Sequence, residues 1–303
     1  MRVTGKIIRG QIEAELGQPV PDAVHAAVET LRRRHGDTIA GILFYGSSLR
    51  DGRVEGRVLD FYVLVRRYRE FHATRLAAAS NRLLPPNVYY LEAEEAGLTV
   101  RAKYAVLSID HLLSGTRPGT TQTSIWARFA QPCALVYASG PEVREAVLAA
   151  LSSAVTTMTV ETLPLVGSDV SPRELWQRAF RETYRTEFRA ERGNRPHDLY
   201  TAFPDRYDRI GAAVLASALP QDGDRARRRC VRRWRMRRIA GRTVHVLRLV
   251  KAVFTFAGGL DYILWKIESH SGVRVAATPW QRRHPLLAAP FIATRLYRRG
   301  GFR

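Results

Sequence analysis

The chain has 303 residues, 46% of them hydrophobic, which suits two domains or one domain with large extensions, and is enough for a buried core. Its formal charge is +20, yet 20 Lys and Arg against only Asp261 and Glu268 lie between Arg225 and Arg303, so a near-neutral body carries a basic tail suited to nucleic acid or an anionic membrane. Two distant cysteines, Cys133 and Cys230, exclude a cysteine metal cluster and suit a reducing compartment, and "MRVTGKIIRGQIEAELG" lacks the apolar core expected of a secretory signal.

Residues 21–35, "PDAVHAAVETLRRRH", read as a helix opening on proline. "TIAGILFY" reads as a short buried strand, and "RVLDFYVLV" as a second, rich in β-branched and aromatic residues. "RRYREFHATRLAAASNRL" is helical and ends at "LPP". "NVYYLEAEEAG" and "LTVRAKYAVLS" are two strands joined by a turn at Gly97. This order indicates an α/β or α+β domain with a mixed sheet over 1–112, and α+β is the class expected for the chain.

Ser108 or Asp110 caps the next helix, "SIDHLLSG". A mostly helical, winged-helix-like domain is expected over 113–222, with Trp126, Trp176 and His111 as structural residues. "ALPQDGDRARRRC" marks the boundary to a third region, 223–303. There Val246, Leu249, Val250, Val253, Phe256, Leu260 and Ile263 recur at helical steps, which predicts a basic amphipathic C-terminal helix. Its longest uncharged run, Ala252 to Leu260, is far short of the roughly 20 residues that span a bilayer, so it is expected to lie on a membrane rather than cross one.

The chemistry concentrates in "FYGSSLRDGRVEGRVLDFYVLV". A Gly46-Ser47-Ser48 turn after a strand can offer backbone N–H groups and hydroxyls to a phosphate. Asp60 interrupts the following apolar strand, on the side shared with Tyr62 and Leu64, where a lone buried carboxylate is costly. A carboxylate there can hold Mg²⁺ against the phosphate, which assembles the parts of nucleotidyl transfer. Tyr62 occupies the place where a second acid is usual in polymerase-type enzymes. Asp51, Glu55 and Glu92 are the candidates for a second metal ligand. Only four of the 48 basic residues are lysines: Lys6, Lys103, Lys251 and Lys266.

Taken together, "FYGSSL", "VLDFYVLV", "NVYYLE", "AKYAVLSIDHLL", "WARFAQPCAL" and "LRLVKAVFTFAGG" resemble, in order, motifs of the mitochondrial-type phosphatidate cytidylyltransferases, the translocator assembly and maintenance family. The resemblance runs from about residue 42 to 260. Ala105 and Gln131 depart from it, standing where the family has glycine and lysine. The loop between Ser48 and Asp60 is also shorter. The resemblance implies a nucleotidyltransferase-like fold and a Mg²⁺-dependent reaction of CTP with phosphatidic acid, giving CDP-diacylglycerol and pyrophosphate. It implies Asp60 and Lys103 as catalytic residues. It further implies that Tyr45, Gly46, Ser47, Ser48, Lys103, Tyr104, Arg128 and Lys251 handle the nucleotide and its phosphates. The expected location is cytoplasmic and peripheral on the inner face of a membrane, or the matrix face of the inner membrane if mitochondrial. Two other classes fit the composition: a nucleotidyltransferase acting on nucleic acid through "RARRRCVRRWRMRR", and a non-catalytic membrane-docked protein of the same fold.

Overall fold

The computed structural model describes residues 2–95, 97–167, 169–186, 195–217, 223–255, 264, 276–283 and 285–298. Helices α1 (Arg2–Leu16) and α2 (Asp22–His35) precede β1 (Ile39–Tyr45). A short helix, α3 (Ser47–Asp51), separates β1 from β2 (Val58–Val65). The expected helix after β2 is two helices, α4 (Tyr68–Phe71) and α5 (Arg75–Leu83), because the Thr74 hydroxyl accepts the Ala77 N–H and starts a new helix there. β3 (Asn87–Glu95) and β4 (Leu98–Ser108) follow as a hairpin, with Gly97 at φ +78° in the turn that the sequence marks.

Ser108 supplies the cap of α6 (Ile109–Gly115), its hydroxyl accepting the His111 N–H. Then come α7 (Ser124–Phe129), β5 (Ala134–Ala138) and α8 (Pro141–Thr162). Four more helices follow: α9 (Pro172–Tyr184), α10 (Arg195–Thr201), α11 (Pro204–Ser217) and α12 (Gly223–Thr255). The short α13 (Pro279–Arg283) and α14 (Pro285–Arg298) lie near the C-terminus.

The fold is mixed α+β around one five-stranded sheet, in the order β3-β4-β2-β1-β5. β2 and β4 are parallel; the other neighbours are antiparallel. The fifth strand comes from residues 134–138, past the boundary expected at 112, in a stretch read as mostly helical. β5 is short and only its first residue, Ala134, is fully buried, so its sequence carries little alternation. It forms because β1 otherwise presents an unpaired edge.

Each sheet face is buried by a different set of helices. Ile42, Phe44, Phe61, Val63 and Val106 pack under Val24, Ala27 and Leu31 of α2. Leu43, Tyr62, Leu64, Ala105 and Leu107 pack against the larger helical half, which includes Trp126, Trp176 and Phe180. Side chains such as Phe44 and Phe61 are fully buried, and each contributes about 1.5–3 kcal/mol. α1 joins this half too, placing Ile8, Ile12 and Leu16 at four-residue steps into the core. Helix Pro141–Leu165 is long and apolar enough to cross a membrane, but Val147, Leu151, Val155 and Met158 on it are core residues.

α12 spans about 50 Å at 1.5 Å per residue. It lies on the body along a stripe that begins with Cys230, Trp234, Arg237 and Gly241. The Trp234 indole N–H donates to the Glu161 carbonyl (2.9 Å), and Arg237 pairs with the Glu161 carboxylate (2.8 Å). A Cβ on Gly241 would lie 2.5 Å from the Thr186 carbonyl oxygen, so only glycine admits this approach. Arg248 donates to the Ser124 hydroxyl (2.9 Å) further along. Of the apolar face expected between Val246 and Ile263, Val246 is 47% exposed, whereas Phe256, Leu260 and Ile263 lie outside the described residues.

Candidate active site

Strand register draws the candidate chemistry into one row across four strands. Tyr45 on β1 stands opposite Asp60 on β2, Asp60 opposite Lys103 on β4, and Lys103 opposite Tyr90 on β3. Side chains opposite one another share a face, so the four point the same way. Lys103 Nζ lies 3.1 Å from Asp60 Oδ1, with the side chains 37% and 20% exposed. A partly buried carboxylate is thus held at the end of an apolar strand by one lysine. Tyr62, two residues on from Asp60, is core: it packs on Tyr45 and Phe129.

The glycine-serine turn closes on this carboxylate. Gly46 has φ +101°, and a Cβ there would sit 2.7 Å from Asp60 Oδ2. Both facts require glycine. Ser47 opens α3 immediately after it. Ser48 is 2% exposed, and its Oγ has no hydrogen-bond partner. Buried hydroxyls are nearly always satisfied, so an orphan at this turn is an unusual feature of the core.

On the β1 side of Asp60 a cleft opens between the sheet and the helical half. It is small, with room for about one water molecule, and Tyr45, Gly46, Arg50, Arg128, Leu199 and Phe203 are among the residues that line it. The Arg128 guanidinium lies 4.9 Å from the centre of the Tyr45 ring. Burial lowers the Arg50 pKa, and the nearby charges of Arg195 and Arg128 lower it further. Arg50 and Arg128 therefore both line this cleft.

Other residues expected at the site lie elsewhere. Tyr104 follows Lys103 on the same strand, so alternation sends it through to the opposite face. There it is 3% exposed, its hydroxyl meets His35 Nε2 at 3.1 Å, and burial pushes its pKa up to about 12. Lys251 donates to the carbonyls of Leu84 and of Pro86 (2.8 Å for the latter), pinning α12 to the entry of β3. Pro86 is four residues before Tyr90, so this pin lies about 13 Å along the strand from the row. Burial, then Arg248, lower the Lys251 pKa to about 8. Of the three candidates for a second acid, Asp51 and Glu92 are engaged with other partners. Asp51 is ion-paired with Arg57 (2.7 Å), while Glu92 accepts from Tyr90 (2.8 Å) and sits 3.4 Å from Arg101. Among the described residues no group of three or more His, Cys, Asp or Glu forms a metal cluster.

Sequence inspection overlooks Tyr90, Arg50 and Arg195. Tyr90 is recoverable from pairing β3 with β4, since it must face Lys103. Arg50 and Arg195 stand in none of the six motifs. Comparison with known proteins finds no family model that matches the chain, and no curated protein that matches it.

Proposed function

We propose that the chain is a nucleotidyltransferase. More particularly, we propose a phosphatidate cytidylyltransferase, which joins CTP and phosphatidic acid into CDP-diacylglycerol and releases pyrophosphate. The observation that carries this is the meeting of Asp60, Lys103, the Gly46 turn and the orphan Ser48 hydroxyl beside an arginine-lined cleft. An ion pair that served only to stabilise the core would not need a positive-φ glycine pressed against it and the Arg50 and Arg128 guanidinium groups beside it. CTP and phosphatidate are the substrates implied by the resemblance of the six motifs.

A single carboxylate suits Mg²⁺, which is commonly held by one or two carboxylates together with substrate phosphates and water. When bound, the ion would supply charge neutralisation at the α-phosphate, with Asp60 as its protein ligand. The Gly46–Ser48 turn and Lys103 would hold and orient the triphosphate. The phosphatidate oxygen forms its bond to the α-phosphorus in line as the bond to the bridging oxygen breaks, and pyrophosphate leaves with the electron pair. A phosphomonoester is largely ionised at neutral pH, with a second pKa of about 6, so the attacking oxygen needs no general base. That agrees with the histidines: His35, His72 and His111 are engaged with Tyr104, Tyr89 and Tyr68, away from the row.

The same proposal puts the enzyme on an anionic membrane, cytoplasmic and peripheral on its inner face, or on the matrix face if mitochondrial. Its support is the outer face of α12, where exposed arginines such as Arg228, Arg232 and Arg235 interleave with exposed Val231, Met236, Ile239 and Leu247. A nucleic-acid arm has no use for those apolar side chains, which favours lipid over nucleic acid.

The test is incubation of purified protein with CTP, Mg²⁺ and phosphatidic acid in detergent, reading CDP-diacylglycerol, with oligonucleotides as the competing acceptor. Asp60→Asn should abolish turnover without unfolding the protein. Lys103→Ala should raise the KM for CTP, and Lys103→Arg should rescue it only in part, since a fork differs from a point charge. A folded wild-type protein that makes no CDP-diacylglycerol, or a fully active Asp60→Asn variant, would overturn the assignment.

A further inference from the structure

An ordinary surface helix turns its leucines inward and its polar residues outward. The nine-residue helix α5 does the reverse. Its buried residues are Ala78 and Asn81, whereas Leu76 and Leu83 are 80% and 82% exposed, more than any other large hydrophobic residue described. Polar bonds hold the helix in place. The Asn81 side chain donates to the Val106 carbonyl (3.1 Å) and accepts the Asn87 N–H (2.6 Å), and the Asn87 amide donates to the Ala77 carbonyl (3.1 Å). The Thr74 hydroxyl caps the start by accepting the Ala77 N–H (3.1 Å). None of these contacts needs a leucine at position 76 or 83.

One exposed leucine is ordinary, but these two are aligned. They stand two helical turns apart, with exposed Ala79 between them on the same side. Arg75 and Arg82, each one residue before a leucine and both exposed, form a parallel row beside that stripe. α5 contains no acid, and among the described residues no carboxylate pairs with Arg75 or Arg82. The stripe also continues towards the exposed face of α12. Lys251 donates to the carbonyl of Leu84, directly after α5, and Leu247, one turn before Lys251, is 50% exposed. Leucines beside unpaired arginines match hydrocarbon beneath a layer of anionic headgroups.

We propose that α5 is a docking helix for an anionic lipid bilayer, with Leu76, Ala79 and Leu83 entering the boundary between headgroups and acyl chains and Arg75 and Arg82 on lipid phosphates. This rests on the membrane placement proposed above and adds a second point of contact to α12. Two weak contacts on one chain reinforce each other, because the first raises the effective concentration of the second at the surface. They also fix orientation, since a body attached through one helix can still turn about it.

The experiment is flotation of the full chain with vesicles of phosphatidylcholine alone, or of phosphatidylcholine mixed with phosphatidic acid or with phosphatidylglycerol. Wild-type protein should float with either anionic mixture and not with phosphatidylcholine alone. Leu76→Gln with Leu83→Gln should weaken that binding by about tenfold or more, the contribution of one inserted leucine, at low and at high salt. Arg75→Gln with Arg82→Gln should weaken it by about fivefold per charge at low salt and have little effect at high salt. Leu76→Cys carrying an environment-sensitive dye should report apolar surroundings when anionic vesicles are added; both native cysteines are buried, which leaves the label on position 76. Circular dichroism checks that each variant is folded. Unchanged flotation of the folded leucine variant, or a dye that stays in water while the protein floats, would overturn the docking role of α5. So would a wild-type dimer that the leucine changes turn into a monomer without loss of flotation, since the face would then be a contact between copies. Wild-type protein that floats on no anionic vesicle would sink the whole membrane placement, α5 included. Flotation in the expected pattern without any CDP-diacylglycerol formed would sink the proposed reaction and leave the docking helix standing.

Discussion

Removing the Glu161 carboxylate should release much of the hold on α12. Glu161 is 4% exposed and pairs at 2.8 Å with Arg237, itself 2% exposed; it also pairs with Arg233 and accepts the Gly119 N–H at 3.1 Å. Glu161→Ala would leave the Arg237 guanidinium buried without a counter-charge. Breaking a buried pair by deleting one partner costs about 3–5 kcal/mol. Two features favour the lower end, about 3 kcal/mol: Arg237 Nε keeps the Thr120 carbonyl (3.2 Å), and the backbone carbonyl that receives Trp234 survives the substitution. The assay is urea unfolding followed by tryptophan fluorescence, since Trp234 and Trp126 pack edge to face at this junction. Glu161→Leu with Arg237→Met, which removes both charges, should recover most of the loss. Acid should act in the same direction. Burial raises the Glu161 pKa, but Arg237, Arg233 and the Gly119 N–H together bring it below the ordinary value. Its contribution is therefore present above the unfolded pKa and is lost as pH falls through the lowered folded one. A loss under about 0.5 kcal/mol in Glu161→Ala would refute this account of how α12 is held.

Gly46→Ala should cost about 1–3 kcal/mol in stability from the positive φ, and should displace Asp60, whose Oδ2 lies 2.7 Å from the new Cβ. Thermal melting and turnover check it, and full activity would show that the Asp60 position is not critical. His35 and His72 are held at pKa values of about 4, by burial first and then by neighbouring cations. The unfolded chain binds these protons first as acid is added, so stability is present above about pH 6.5 and is lost towards pH 4. His72→Gln should flatten that part of the stability–pH curve; an unchanged slope would count against it. Val246→Asp with Leu247→Asp, at positions 47% and 50% exposed, should leave stability within about 0.5 kcal/mol of wild type. The same pair should weaken flotation on vesicles containing phosphatidic acid, and unaltered flotation would remove this face from membrane contact.

The local elements were legible wherever short-range chemistry decides them. Four strands follow from runs of Ile, Val, Phe and Tyr, the hairpin turn from Gly97, and the α6 cap from Ser108. Asp60 was legible as a carboxylate out of place in an apolar strand. The Lys103–Asp60 pair was half-legible: both residues stood out, but only the parallel register of β2 and β4 sets them opposite. Tyr104 shows a rule available from sequence and overridden by the motif match. Adjacent strand residues face opposite ways, so Lys103 and Tyr104 cannot serve one site.

What the sequence by itself determined is therefore the part governed by neighbours in the chain: the α+β order, the turn beside Asp60, and the concentration of arginine after residue 224. What only the tertiary structure decided is which distant groups satisfy one another. β5 is a strand because β1 offers it an edge. α12 docks through Trp234, Arg237 and Lys251 because Glu161, Thr120 and Leu84 wait for them across 73, 117 and 167 positions of sequence. Propensity and periodicity act over a few residues, whereas the burial of a charge is settled by whichever partner the fold brings within hydrogen-bond reach.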